Sequence, residues 1–155
     1  MEIVKQPNKI LHKKLENVNQ ITSKIKGVIS DMKKVMKENN GIGLAANQIG
    51  QDFKIFVIEE NLAKEARVPN TFINPEITDY SKEKSIEEEG CLSIPDYWVD
   101  IPRSKKIMFK ALDENGKKIK FKAKNLLARV IQHEVDHLNG RLISDWADKK
   151  PVKNI

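Results

Sequence analysis

Three observations predict an α+β fold. One amphipathic helix stands near the N-terminus, a second near the C-terminus, and the strand-like stretches between them do not alternate with helices as a parallel sheet requires. The 155 residues, 39% of them hydrophobic, contain no internal repeat, low-complexity tract or long linker. They are read as one domain over residues 1–155, with a short basic tail at 147–155, able to bury roughly 68–70% of the unfolded surface.

After an extended start (Ile3, Val4, then Pro7), residues 21–37 place Ile21, Ile25, Val28, Ile29, Met32, Val35 and Met36 on one helical stripe. Asn39, Asn40 and Gly41 stop that helix. The uncharged, glycine-rich GIGLAANQIG follows. Residues 53–59, FKIFVIE, are aromatic and β-branched and read as a buried strand. A loop is expected up to Pro69, then a strand over 71–78 in which Pro75 favours an edge or a bulge. SKEKSIEEEG is polar and charged up to Gly90. KKIMFKALD and KKIKFKAKN alternate apolar and polar residues around a tight turn at 113–116, which makes a β-hairpin. The last element, NLLARVIQHEVDHLNG, is a helix. Asn125 is its expected N-cap, Leu126, Leu127, Val130, Ile131, Val135 and Leu138 form its apolar face, and Gly140 ends it.

Composition excludes several classes of function. No apolar run reaches the ~18 residues that span a bilayer, and the N-terminus lacks the apolar core of a secretory signal. A single cysteine, Cys91, suits a reducing compartment, so the cytoplasm is expected and no membrane partner is. The net charge of +6 invites a nucleic-acid reading. Because Lys and Arg are spread through every segment and only 6% of residues are aromatic, direct nucleic-acid binding is not expected.

The stretch QHEVDHLNG carries the chemistry. His133 and His137 are four apart, so on a helix their side chains lie ~5–6 Å apart on one face and can share a metal ion. Glu134 is turned about 100° away, beside that ion and free to act as a base. A third ligand is needed. A metzincin would place a histidine where Ile143 stands, and no glutamate follows Glu134; Asp145 and Asp148 remain downstream. Upstream, His12 sits among lysines and Cys91 sits between Gly90 and Pro95 in EGCLSIP, which makes Cys91 the better candidate. A thiolate with two imidazoles leaves the fourth position of a tetrahedral ion open, and an open position suits catalysis.

GIGLAANQ (residues 41–48), EGCLS (89–93) and QHEVDHLNG (132–140) together resemble the three signature motifs of the peptide deformylases, in that family's order and over nearly the whole chain. The resemblance implies an α+β fold with the metal-binding helix surrounded by antiparallel sheets. It implies Cys91, His133 and His137 as ligands of Fe²⁺, for which Zn²⁺ or Ni²⁺ substitutes, and Glu134 as general acid and base. The Gln48 side-chain amide and the Leu92 N–H would form an oxyanion hole, and Gly43 would contact the substrate backbone. A hydrophobic pocket for the first side chain would be walled by Ile42 and Leu126, and Glu87 and Arg129, which fall near it, would form an ion pair at its rim. Glu89 would pair with Arg103, and Asp136 or Gln132 would orient a ligand histidine. The implied reaction removes the formyl group from N-formylmethionyl peptides of nascent proteins. Ribosome docking by a long basic C-terminal helix is not expected after Trp146, and shortened members of this kind occur in bacteriophages. The alternatives are a zinc peptidase built on the same helix, or a metal-holding partner module without turnover.

Overall fold

A computed structural model describes residues 2–147; the basic tail from Asp148 onward lies outside the described residues. Helix α1 (Ser23–Glu38) begins two residues later than its apolar stripe, because the Thr22 hydroxyl accepts from the Ile25 N–H at 3.3 Å and caps it. Its buried face is Ile25, Val28, Ile29, Met32, Val35 and Met36. The chain leaves through Asn40, at φ +54°, and the Gly41 N–H donates back to the Met36 carbonyl.

The glycine-rich segment divides into a short strand, β1 (Gly43–Ala45), and a buried 3₁₀ turn over Ala46–Ile49. β1 pairs antiparallel with β2 (Ile55–Ile58), which is buried at every position. The expected loop to Pro69 contains a short helix, α2 (Glu60–Ala66), in which Ala63 is the buried residue. With so few apolar positions it leaves no periodicity to detect.

Strand β3 (Thr71–Tyr80) shifts register between Ile73 and Glu76, the break that Pro75 predicts, and Asn74 there takes φ +51°. β4 (Lys84–Cys91) and β5 (Ile94–Ser104) form a two-stranded sheet of their own. β6 (Lys106–Leu112) and β7 (Lys118–Lys124) are the expected hairpin, and the full antiparallel sheet runs β1-β2-β3-β6-β7. Phe56, Phe72, Phe109 and Phe121 meet on its inner face with ring centroids 5.0–6.0 Å apart.

Helix α3 (Asn125–Leu138) touches strands of both sheets, and a short helix, α4 (Ile143–Ala147), packs Ile143 beside Val99 and Ile101 of β5. The cap of α3 differs from expectation. Asn125 takes φ +55° as the first helical residue, and the extended Lys124 before it is the cap, without a side-chain hydrogen bond. The β7 strand feeds directly into the helix there, so chain direction decides the start. No helix among the described residues is long and apolar enough to cross a membrane.

Candidate active site

Helix α3 turns His133 and His137 toward the end of β4, where Cys91 closes the strand. His137 Nε2 lies 3.2 Å from His133 Nε2 and 3.3 Å from Cys91 Sγ, and the three donor atoms lie within 4.8 Å of one another. The edges of a tetrahedron with ~2.1 Å bonds to nitrogen and ~2.3 Å to sulfur are ~3.4–3.6 Å, so the three residues fit one such ion with little movement. His12 is far from this group; its ring meets Gln6 Oε1 on the surface. The Asp145 carboxylate accepts from the Leu142 N–H, and Asp148 lies outside the described residues.

A buried carboxylate holds the site together. Glu89 accepts from Arg103 through Nε and Nη2, each at 2.9 Å, from Arg129 Nη1, and from His133 Nδ1 at 2.8 Å. His133 is therefore oriented by Glu89, and neither Asp136 nor Gln132 has that task. Asp136 accepts from Arg103 Nη1 at 2.7 Å and from the Trp146 indole, while Gln132 clamps the Ser104 backbone. Burial works against the Glu89 anion, but hydrogen bonds from His133 and Arg103 outweigh it and hold the carboxyl well below the usual carboxylate range. His133 responds in kind. Burial lowers its pKa, yet its bonds to Cys91 and Glu89 raise it to about 10, so an ion entering the site displaces that proton. His137 is pushed well below its usual value by burial and by the neighbouring His133.

Glu134 is 3% exposed, and burial raises its carboxyl to about 7. Its Oε1 has no hydrogen-bond partner among the described residues. A Cβ on Gly43 would stand 2.6 Å from Glu134 Oε2 and 3.1 Å from Val130 Cγ1, so glycine lets β1 run past this carboxylate without displacing it. Gln48, held in the 3₁₀ turn, accepts from the Ala45 N–H and aims its amide at Ser93 Oγ (3.1 Å) and Cys91 Sγ (3.6 Å). The neighbouring Asn47 donates to the His137 carbonyl at 2.8 Å and ties that turn to α3.

These groups border a cleft of about 580 Å³. Ile42, Gly43, Gln48, Cys91, Leu92, Leu126, Arg129, His133 and Glu134 all line it. Ile42 and Leu126 are half-exposed at its mouth. Glu87 does not line it; 64% exposed, it lies 3.3 Å from Arg129 Nε, on the guanidinium's outer side. Sequence reasoning missed Ser93, fully buried against Gln48, and Trp98, whose indole lies over Gly90 at the cleft edge. Ser93 falls within the EGCLS motif and could have been found there; Trp98 has no local signal.

The family model for polypeptide deformylase matches residues 1–153. The chain belongs to the peptide deformylase family. It is 44% identical to the peptide deformylase of Borreliella burgdorferi, with 99% of this chain and 91% of that one covered, and 48% identical to that of Dictyoglomus turgidum (95% and 92%). The crystal structure of peptide deformylase from Thermotoga maritima superposes with a TM-score of 0.86 at 37% identity, covering 93% of this chain and 95% of that one. Enzymes of this family are metal-dependent hydrolases that remove the N-formyl group from nascent peptides, and the deformylase chain described here is such an enzyme. The peptidase and inert-module readings fall with that match.

Proposed function

We propose that Cys91, His133 and His137 hold a single Fe²⁺ ion and that Glu134, Gln48 and Leu92 carry out deformylation of N-formylmethionyl peptides around it. The observation that supports this most directly is the convergence of an unpartnered Glu134 oxygen, the Gln48 amide and three soft and borderline donors on one end of a cleft. The donor set accepts Zn²⁺ and Ni²⁺ as well, since two imidazoles and a thiolate suit all three ions. When bound, the ion lowers the pKa of water toward ~7 and polarises a carbonyl oxygen.

Glu134 takes the proton of the attacking water and returns it to the leaving amine as the formyl C–N bond breaks, giving formate and a free α-amine. Gln48 Nε2 and the Leu92 N–H donate to the formyl oxygen as negative charge develops there. Gly43 leaves room for the substrate backbone beside Glu134. Ile42 and Leu126 supply apolar walls for the first side chain, and an unbranched thioether suits such a slot. Arg129 closes that side of the cleft, with Glu87 behind it.

One catalytic domain over residues 1–155, working in the cytoplasm, belongs to the same reading and is supported by the family match over 1–153. Anaerobic formate release from formyl-Met-Ala-Ser by Fe²⁺- and Zn²⁺-reconstituted protein tests it, with metal analysis of anaerobically purified protein to identify the ion. Turnover that disappears in Glu134→Ala at unchanged metal content is expected. Fully metallated protein that releases no formate would overturn it.

A further inference from the structure

Lysines that are evenly spread along the chain are not evenly spread on the surface. In β7, residues 118, 120, 122 and 124 are all lysine and all exposed, while Ile119, Phe121 and Ala123 turn inward. In β6, Lys106 and Lys110 are exposed on the same face, and the register sets Lys106 opposite Lys124 and Lys110 opposite Lys120. Period-two alternation thus collects six lysines on the outer face of a two-stranded ribbon. Among the described residues only one of the six reaches a carboxylate: Lys110 lies 3.8 Å from Glu76.

An ordinary reason for lysine here is protection of an edge strand, and β7 is the edge of the five-stranded sheet. Edge protection needs a few charges, not two directly opposed like-charged pairs, which destabilise a sheet. We propose that this face docks on the phosphate backbone of structured RNA. Lysine ammoniums act as point charges that neutralise phosphates, and such contacts need no aromatic or base-reading partners, of which the outer face of the ribbon has none. A membrane surface would call for exposed apolar anchors, yet Met108 and Leu112, the other outward residues of β6, are only half-exposed. An acidic protein interface would be centred on aromatic residues or arginine, which are absent from this face.

The ribbon also adjoins the cleft. Lys124 is followed directly by α3, whose Leu126 lines the cleft mouth. The choice of RNA rests on the deformylase reading: a nascent peptide is still tethered to the RNA particle that makes it, and docking on that RNA would hold the cleft near its substrate.

Anisotropy of a labelled RNA hairpin with metal-loaded, full-length protein, measured between ~50 and ~200 mM salt, tests the surface. The combined Lys118→Gln, Lys120→Gln, Lys122→Gln and Lys124→Gln variant is expected to lose ~10-fold or more in affinity at low salt, and its log–log salt slope should flatten by ~3. Lys106→Gln with Lys110→Gln should show a smaller loss in the same direction and guards against misfolding of the first variant. A control with the same charge change elsewhere, at Lys9, Lys26, Lys34 and Lys37, should retain near-wild-type affinity. An equal loss in the control, no salt-dependent RNA binding by the wild type, or binding only to anionic phosphatidylglycerol vesicles would overturn the proposal. Formyl-Met-Ala-Ser turnover is read in parallel and should be unchanged in all variants. Turnover without RNA binding refutes the docking surface alone; absence of turnover in every protein refutes the deformylase reading.

Discussion

Helix α3 and the β4–β5 sheet meet at the same cleft, but they hold their functional groups by opposite means. The helix presents His133, Glu134 and His137 through its own 3.6-residue period, with spacing alone bringing the two histidines together. β4 presents Cys91 through charge. Its SKEKSIEEEG run looks like a solvated loop, yet Glu89 turns inward and gathers Arg103, Arg129 and His133 from elements 14 to 44 residues away in sequence. A site built on a helix is stabilised locally, whereas one built on a strand needs a long-range network to fix it.

Three substitutions separate these two means. The largest effect is expected from the helix side, where Glu134→Ala removes the group that moves the proton while leaving the fold and the metal ligands in place. A fall of ~10²–10⁴ in kcat/KM is expected, and metal content should be unchanged by elemental analysis. If metal is lost along with activity, Glu134 belongs to the supporting network and the contrast collapses.

On the strand side, Glu89→Ala leaves two largely buried guanidiniums without their shared carboxylate. A loss of ~3–5 kcal/mol in stability is expected, with ~10–100-fold weaker metal retention because His133 loses its orienting acceptor. Denaturant unfolding and metal titration check the two parts separately. Wild-type stability would mean that Asp136 alone holds Arg103 and that the strand is less dependent on charge than its geometry indicates.

Gln48 stands between the two regions, since its turn is tied to α3 by Asn47 and its amide points at Cys91. Gln48→Ala should lower kcat by ~10²–10³ through loss of one donor to the developing oxyanion. A change confined to KM would place Gln48 in ground-state binding instead.

The same contrast explains what was legible in the sequence. α1, β2, β3, the β6–β7 hairpin and α3 are written in local periodicity and turn residues, and Pro75 announced its own bulge. The β4 strand was not, because its buried inward residue is Glu89, and the apolar alternation of β5 is confined to Val99 and Ile101, between Pro95 and Pro102 and ahead of the buried Arg103. At the site, the histidine pair follows from spacing and the preference for Cys91 over His12 from the Gly90–Pro95 turn around it, and the geometry brings Cys91 to the histidines while His12 stays at the surface. The orienting role of Glu89 was assigned to Asp136 or Gln132 because both lie beside the histidines in sequence. The acceptor that reaches His133 Nδ1 is 44 residues away, and no local pattern encodes such a distance.

The smallest expected effect sharpens the comparison most, because it separates burial from proximity. Arg129 meets two carboxylates that stand two residues apart on one face of β4. Glu89 is 7% exposed in its side chain and Glu87 is 64% exposed, while the Arg129 side chain is 9% exposed. Sequence alone suggested the Glu87–Arg129 pair, and its atoms are indeed within 3.3 Å. Solvent around Glu87 screens the attraction, so Glu87→Gln should cost ~0–1 kcal/mol in stability. A double-mutant cycle with Arg129→Met, read by denaturant unfolding, should give a coupling in the same small range. The corresponding Glu89–Arg129 cycle should give a coupling several times larger, because neither partner can be hydrated when the other is removed. Equal couplings in the two cycles would mean that proximity, and not burial, sets the strength of this network. The strand would then be held as locally as the helix.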